Sequence, residues 1–275
     1  MDKRKIKHLL VGEFSLRRCL RSVAFVYITV AIYVFVMSNS MIFPPKPPSY
    51  TDSHDMVRIP REDGGLLSGV HLVNSNAYFT VLFSHGNAED LGDLRGFLED
   101  YCAHGYSVLA YDYQGYGTSG GHASEANAYR DIQAAYTYLV ESKGIPADRI
   151  LAHGRSVGSG PTTFLASRRQ LGGLVLESAF VSAFRVVVPI PVFPFDRFPN
   201  LRRIGRVTCP VLVIHGRSDT TIPCWHGEKL FAAANVPKKC VWIDAAGHDD
   251  LSGRGDEYWQ GLLSFRESLV RRHPQ

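Results

Sequence analysis

From about residue 78 onward, six short unbroken apolar runs alternate with longer amphipathic stretches, and this alternation constrains the fold of the 275-residue chain more than any other feature. The runs fall at residues 78–84, 107–112, 150–153, 173–176, 211–215 and 240–243, and helical spacing marks 91–104, 125–143, 157–169, 225–234 and 258–271. Strands that are apolar on both faces must be covered on both faces, and a helix between two strands lets them run parallel. The expectation is an α/β domain with a mostly parallel central sheet flanked by helices. Residues 51–72 are less periodic and are expected to add antiparallel strands at one edge. No internal repeat is visible.

One interval breaks the pattern. Residues 181–207 hold four prolines, several aromatics and the run Val186-Val187-Val188-Pro189-Ile190-Pro191-Val192-Phe193. A core strand does not tolerate that proline density. The interval reads as a short lid over the sheet, with Phe184, Phe193, Phe195 and Phe198 available to line a pocket. The alternative is a loop whose apolar residues tuck against the domain.

A second constraint lies at the N-terminus. The chain carries 30 Lys and Arg against 26 Asp and Glu. Lys3, Arg4, Lys5, Lys7, Arg17, Arg18 and Arg21 oppose only Asp2 and Glu13 in the first 21 residues, which leaves 23 basic and 24 acidic residues in the remaining 254. The near-neutral body argues against a nucleic-acid partner. Directly after the basic segment (1–21), no charge occurs from Ser22 through Pro45, and residues 22–43 are long enough to cross about 30 Å of hydrocarbon as a helix. An uncleaved transmembrane signal anchor is expected, with the N-terminus cytoplasmic and the bulk of the chain extracytoplasmic by the positive-inside rule. Ser38, Asn39 and Ser40 leave open a cleaved signal peptide, and a soluble core helix would be expected to show the polar face that this segment lacks. Cys19 beside the span is a weak palmitoylation candidate. Pro44, Pro45, Pro47 and Pro48 suggest a stiff linker over 44–50, with the folded domain covering 51–275. The five cysteines are widely spaced and odd in number, excluding a disulfide-dense scaffold, and no C-x-x-C pair offers itself to zinc.

The chemistry is carried by Gly154-Arg155-Ser156-Val157-Gly158, which follows an apolar run and opens a helical one. A serine hydroxyl is a poor nucleophile until a base takes its proton, and a sharp strand-to-helix turn presents it to one. Gly154 and Gly158 relieve the crowding such a turn creates. His248, in Gly247-His248-Asp249 just past the last apolar run, is placed to act as the base. Asp219, just past 211–215, is the acid that would orient it. Glu177 is held in reserve, Asp244 also lies near a strand end, and Asp249 and Asp250 are expected to bond their own loop. The backbone N–H groups of Asn87, in His85-Gly86-Asn87-Ala88, and of Val157 are the expected oxyanion donors, with Ala88 a less favoured one and His85 ordering the loop. Tyr113 and Tyr116, in the Gly-rich turn after 107–112, are expected to touch substrate along with Phe184. Without a G-K-[ST] that turn is scaffold, not a phosphate cradle.

Together with Val213-Ile214-His215-Gly216 and Tyr111-Asp112-Tyr113-Gln114-Gly115-Tyr116-Gly117, these motifs resemble the α/β-hydrolase superfamily over nearly all of residues 51–275. Within it they look like the branch of membrane-associated protein depalmitoylases and their single-pass relatives. The resemblance implies an α/β-hydrolase fold and hydrolysis of acyl esters or thioesters by a Ser156–Asp219–His248 triad without metal or cofactor. It also has a departure: cytosolic depalmitoylases of that branch attach through a Cys-rich N-terminal segment, whereas this chain has Cys19 alone there. A peptidase of prolyl-oligopeptidase type is the enzymatic alternative, although such enzymes usually carry a propeller or large cap. A catalytically silent hydrolase-like binding module is the alternative from another class. No residue pattern signals an oligomeric state.

Overall fold

The computed structural model describes residues 15–52, 56–87, 89–254 and 256–271. The chain divides into two compact units, Met1–Ser38 and Asn39–Gln275. Helix α1 (Leu16–Ile42) makes up the described part of the first and ends inside the second. It begins before the uncharged span and takes in Arg17, Arg18 and Arg21, because Leu and Arg are good helix formers. Lys3, Arg4, Lys5 and Lys7 lie outside the described residues. The helix stops because Pro44 and Pro45 cannot continue it and a residue preceding proline is pushed out of the α region. Val23, Phe25, Val26 and Ile28, which face different sides of the helix, are all more than half exposed, so the helix is apolar all round. Thr29, its one polar residue amid the run, donates its hydroxyl to the Phe25 carbonyl at 2.9 Å and leaves no unpaired O–H. By length and composition this helix can cross a membrane.

In the second unit eight strands form one sheet in the order β1-β2-β4-β3-β5-β6-β7-β8. β1 (Met56–Pro60), β2 (Leu66–Leu72) and β4 (Ser107–Tyr111) pair antiparallel, the edge addition expected from 51–72. From β4 through β3 (Thr80–Ser84), β5 (Ile150–Arg155), β6 (Gly173–Glu177), β7 (Val211–Gly216) and β8 (Lys238–Ile243) every pairing is parallel. All residues of β3, β4, β6 and β7 are buried, which is why these strands read as unbroken apolar runs. Alternate residues serve two cores: Leu82, Leu109, Leu174 and Val213 on one face, Val81, Val108, Val175 and Leu212 on the other. The edge strand β8 opens with Lys238 and Lys239, charges that discourage edge-to-edge pairing.

The helices are α2 (Leu91–Ala103), α3 (Glu125–Thr137), α4 (Ser159–Ala166), α5 (Phe184–Val187), α6 (Asn200–Ile204), α7 (Trp225–Ala233) and α8 (Asp256–Val270). Two differ from expectation. The helix expected over 125–143 gives way to a π-helical turn at Tyr138–Ser142, and the one expected from 157 opens with a 3-10 turn, Ser156–Gly158.

Residues 44–50, expected as a stand-off linker, pack on the domain instead. The Ser49 N–H donates to Asp90 at 2.8 Å and the Tyr50 hydroxyl to Asp112 at 2.5 Å. Asp90 is the N-cap of α2 and Asp112 follows β4; both are buried carboxylates whose lone pairs need donors. The lid interval splits in two. Phe184, Phe193 and Phe195 cluster with ring centroids 5.5–6.2 Å apart. Phe198, expected on a pocket wall, is a core residue, fully buried against Phe43 and Tyr129, because its aromatic surface closes the gap beside Gly160.

Candidate active site

The loops that follow β3, β5, β7 and β8 leave the same edge of the parallel sheet, the end at which open α/β sheets place their chemistry. Ser156, one residue past β5, has φ +52°, a left-handed conformation that costs a non-glycine residue roughly 1–2 kcal/mol. Its neighbours hold it there. A Cβ on Gly158 would collide with the Ser84 carbonyl of β3, and one on Gly154 with the Gly158 carbonyl. The Ser159 hydroxyl donates to the Ser156 carbonyl at 2.6 Å.

His248 lies five residues beyond β8 and its Nε2 is 3.1 Å from the Ser156 hydroxyl. Its Nδ1 is 2.8 Å from Asp219 Oδ2, on the turn after β7. Asp219 Oδ1 accepts the backbone N–H groups of Thr221 at 2.9 Å and Ile222 at 2.7 Å. Burial pushes the Asp219 carboxyl up, but donors at His215 and His248 and the Ile222 N–H outweigh it and hold the group well below the usual carboxylate range. An ionised Asp219 accepts, so Nδ1 carries the proton and Nε2 presents its lone pair to the serine O–H. Burial works against the charged form of His248 too, yet the Asp219 bond and charge, with Asp249 and Glu177, raise it above its ordinary value.

The structure therefore brings Ser156 and Asp219 within hydrogen-bonding reach of opposite ring nitrogens of His248. Glu177 is elsewhere engaged: its carboxylate faces Arg155 at 2.9 Å, His153 at 2.9 Å and the Tyr258 hydroxyl at 2.8 Å. Burial raises the Glu177 carboxyl, and Arg155 and His153 bring it down to about 2. Asp244 pairs with Arg217, and Asp250 accepts the Gly247 N–H at 2.6 Å, tying off the turn that carries His248.

Val157 stands in the first turn of a helix, where backbone N–H groups have no partner within the helix. Gly86 comes close to the nucleophile, since a Cβ there would sit 3.7 Å from the Ser156 Cβ. The Gly86 N–H is taken by Glu89 at 2.8 Å. Asn87 is next along this loop; Ala88 lies outside the described residues. His85 is buried under the loop, with Nδ1 2.6 Å from the Gly86 carbonyl and Nε2 3.2 Å from Asp112.

The expectation that Tyr113 and Tyr116 touch substrate is corrected. Tyr113 and Tyr116 are buried, and their hydroxyls donate to the carbonyls of His85 at 2.8 Å and Asn87 at 2.9 Å. They back the loop and do not line an open pocket, because their rings pack inward against Phe43. Phe184 stays half-buried in the lid's own aromatic cluster. Sequence reasoning also missed the chain Glu89–Arg155–Glu177 beneath the elbow, with Arg155 stacked 4.2 Å from the Phe97 ring centroid. Only the adjacency of Glu89 and Arg155 to the two motifs hinted at it. Among the described residues, no group of three or more His, Cys, Asp or Glu is placed to hold a metal ion.

Residues 75–194 match the family described as serine aminopeptidase, S33. The chain is 42% identical over 193 residues to the alpha/beta hydrolase domain-containing protein aho-3 of Caenorhabditis elegans, a stretch covering 69% of this chain and 58% of that protein. It is 39% identical over 196 residues to the human alpha/beta hydrolase domain-containing protein 17B, covering 69% of this chain and 67% of that one. The chain thus spans less than two thirds of the nematode relative's length. Among solved structures, an esterase of Pyrococcus furiosus superposes with a TM-score of 0.67 at 20% identity, covering 84% of this chain and 96% of the esterase. A Mycobacterium tuberculosis puromycin-hydrolyzing peptidase superposes with a TM-score of 0.60 at 17% identity, over 78% of this chain and 37% of its own. At such identities the likeness is one of fold. The chain belongs to the α/β-hydrolase superfamily, in the family of alpha/beta hydrolase domain-containing proteins.

Proposed function

We propose that the protein is a membrane-anchored serine hydrolase that cleaves carboxylic esters or acyl thioesters. The observation that carries this reading is the hydrogen-bonded series Asp219–His248–Ser156 at a strained turn. The Ser156 oxygen attacks the acyl carbonyl while its proton passes to His248 Nε2, and Asp219 stabilises the resulting imidazolium. The Asn87 and Val157 N–H groups receive the developing oxyanion. His248 then returns the proton to the departing alcohol or thiol, leaving an acyl-enzyme. Water, deprotonated by the same nitrogen, attacks that ester and releases the acid and Ser156.

Helix α1 supports the anchoring half of the proposal, and the basic residues before the span support a cytoplasmic N-terminus and an extracytoplasmic domain. A glycosylation map that leaves the domain unmodified at engineered acceptor sites would overturn that orientation. The catalytic half is tested with a fluorophosphonate probe on wild type, Ser156→Ala and His248→Ala. Labelling of folded wild type alone is expected; an unlabelled wild type favours a silent binding module. Because the matched family is described as an aminopeptidase, aminoacyl arylamides belong beside an acyl-chain-length series of esters and thioesters. Faster turnover of the arylamides would replace the esterase reading.

A further inference from the structure

We infer that the three residues leaving helix α1, Ile42, Phe43 and Pro44, form a strap that positions the oxyanion loop; this rests on the hydrolase reading above. The Ile42 carbonyl lies in the last turn of α1, where it lacks a helical N–H partner, and the Asn87 side-chain amide caps it at 3.0 Å. The carbonyl of the same Asn87 accepts the Tyr116 hydroxyl at 2.9 Å, and that hydroxyl lies 3.3 Å from the Pro44 carbonyl. Asn87 is thus held at two points, one of them on the strap itself.

Phe43 braces the rest. It is 5% exposed and meets Tyr113, Tyr116 and Phe198 edge-on, with centroids at 5.9, 6.2 and 6.0 Å. Tyr113 holds the His85 carbonyl and Tyr116 the Asn87 carbonyl, so the ring packs on both tyrosines that grip the loop. Between those two grips lies the peptide joining Gly86 to Asn87, whose carbonyl is taken by His85. In a planar trans peptide the N–H points opposite to the carbonyl, so fixing the Gly86 carbonyl aims the Asn87 N–H. Prolines at 44 and 45 stiffen the strap where it leaves the helix. A core plug would explain the burial of Phe43. It does not explain why the Asn87 side chain caps the helix.

The test uses the full-length protein in detergent, comparing wild type with Phe43→Ala, Phe43→Leu and Asn87→Ala, the last of which keeps the backbone N–H. Two readouts are taken: kcat and KM on a short-chain ester with the fluorophosphonate labelling rate, and amide exchange across residues 85–92. Asn87→Ala and Phe43→Ala are expected to lower kcat and labelling about 10- to 100-fold, less than the roughly 100- to 1000-fold of losing a donor outright. KM should stay within about twofold, exchange in the loop should rise, and Phe43→Leu should recover most of the rate. Should Phe43→Ala fail to fold, Asn87→Ala decides alone. Wild-type rates in folded Asn87→Ala overturn the strap, and so does a faster-exchanging loop with unchanged kcat. An unlabelled wild type sinks the hydrolase reading instead, and exchange alone then shows whether the strap holds the loop.

Discussion

The excursions that follow the neighbouring strands β5 and β6 begin alike and end differently. After β5 the chain turns within Ser156–Gly158 and the turn is hemmed in by its neighbours: Ser84 against Gly158, Ser159 on the Ser156 carbonyl, Thr162 on the Gly158 carbonyl at 2.5 Å. After β6 the lid is tied near its base by Asp196, which accepts the Ser182 hydroxyl at 2.6 Å and the Phe184 N–H at 2.9 Å, and by Glu125, which accepts the Phe198 N–H at 2.7 Å. Its tip leaves Val187 80% and Ile190 65% exposed. Left-handed residues occur on both excursions, Ser156 (φ +52°) on the first and Ser178 (φ +45°) and Phe198 (φ +49°) on the second, each held where its surroundings over-determine it, but only Ser156 is aimed at the His248 ring. The second is free to vary in what it admits.

The sharpest way to break this contrast is Ser156→Ala. It should lower kcat by about 10⁴-fold or more while leaving the thermal midpoint nearly unchanged; measurable turnover near wild type would remove the elbow from the chemistry. Asp219→Asn comes next, with an expected loss of about 10⁴-fold in kcat. It also carries a pH signature. Asp219 raises His248, so wild-type kcat/KM should fall as pH drops through that raised value and the base becomes protonated. Without the aspartate the residual limb should move to lower pH, and a limb that stays in place would mean that another group sets it.

Gly158→Ala tests the steric half. The new methyl meets the Ser84 carbonyl, and overpacking of this kind costs about 1–3 kcal/mol, read as a lowered thermal midpoint and slower probe labelling. The lid should respond least. Val187→Ser with Ile190→Ser is expected to change stability by no more than about 0.5 kcal/mol. Its effect should appear as a raised KM confined to long acyl chains; equal KM changes for acetyl and long-chain esters would make the lid a passive loop.

Much of this was legible from residue order because it depends on local chemistry. A strand buried on both faces has to be apolar throughout, so β3, β4, β6 and β7 announced themselves, and the tight turn at Ser156 required glycines two residues to either side. The charge-free span was equally plain, since a helix with no polar face has to bury its surface in a core or in lipid. What the fold alone decided is every relation between segments far apart in the chain. Tyr113 and Tyr116 were expected to touch substrate from the Gly-rich turn; packing against Phe43, some 70 residues away, turned them in. Glu177 was an available acid by position until Arg155, His153 and Tyr258 claimed its oxygens, leaving Asp219 beside His248. Periodicity and turn chemistry act over a few residues and are written in sequence. Which carboxylate meets which imidazole, and which carbonyl an asparagine caps, is settled only when the sheet brings distant loops to one edge.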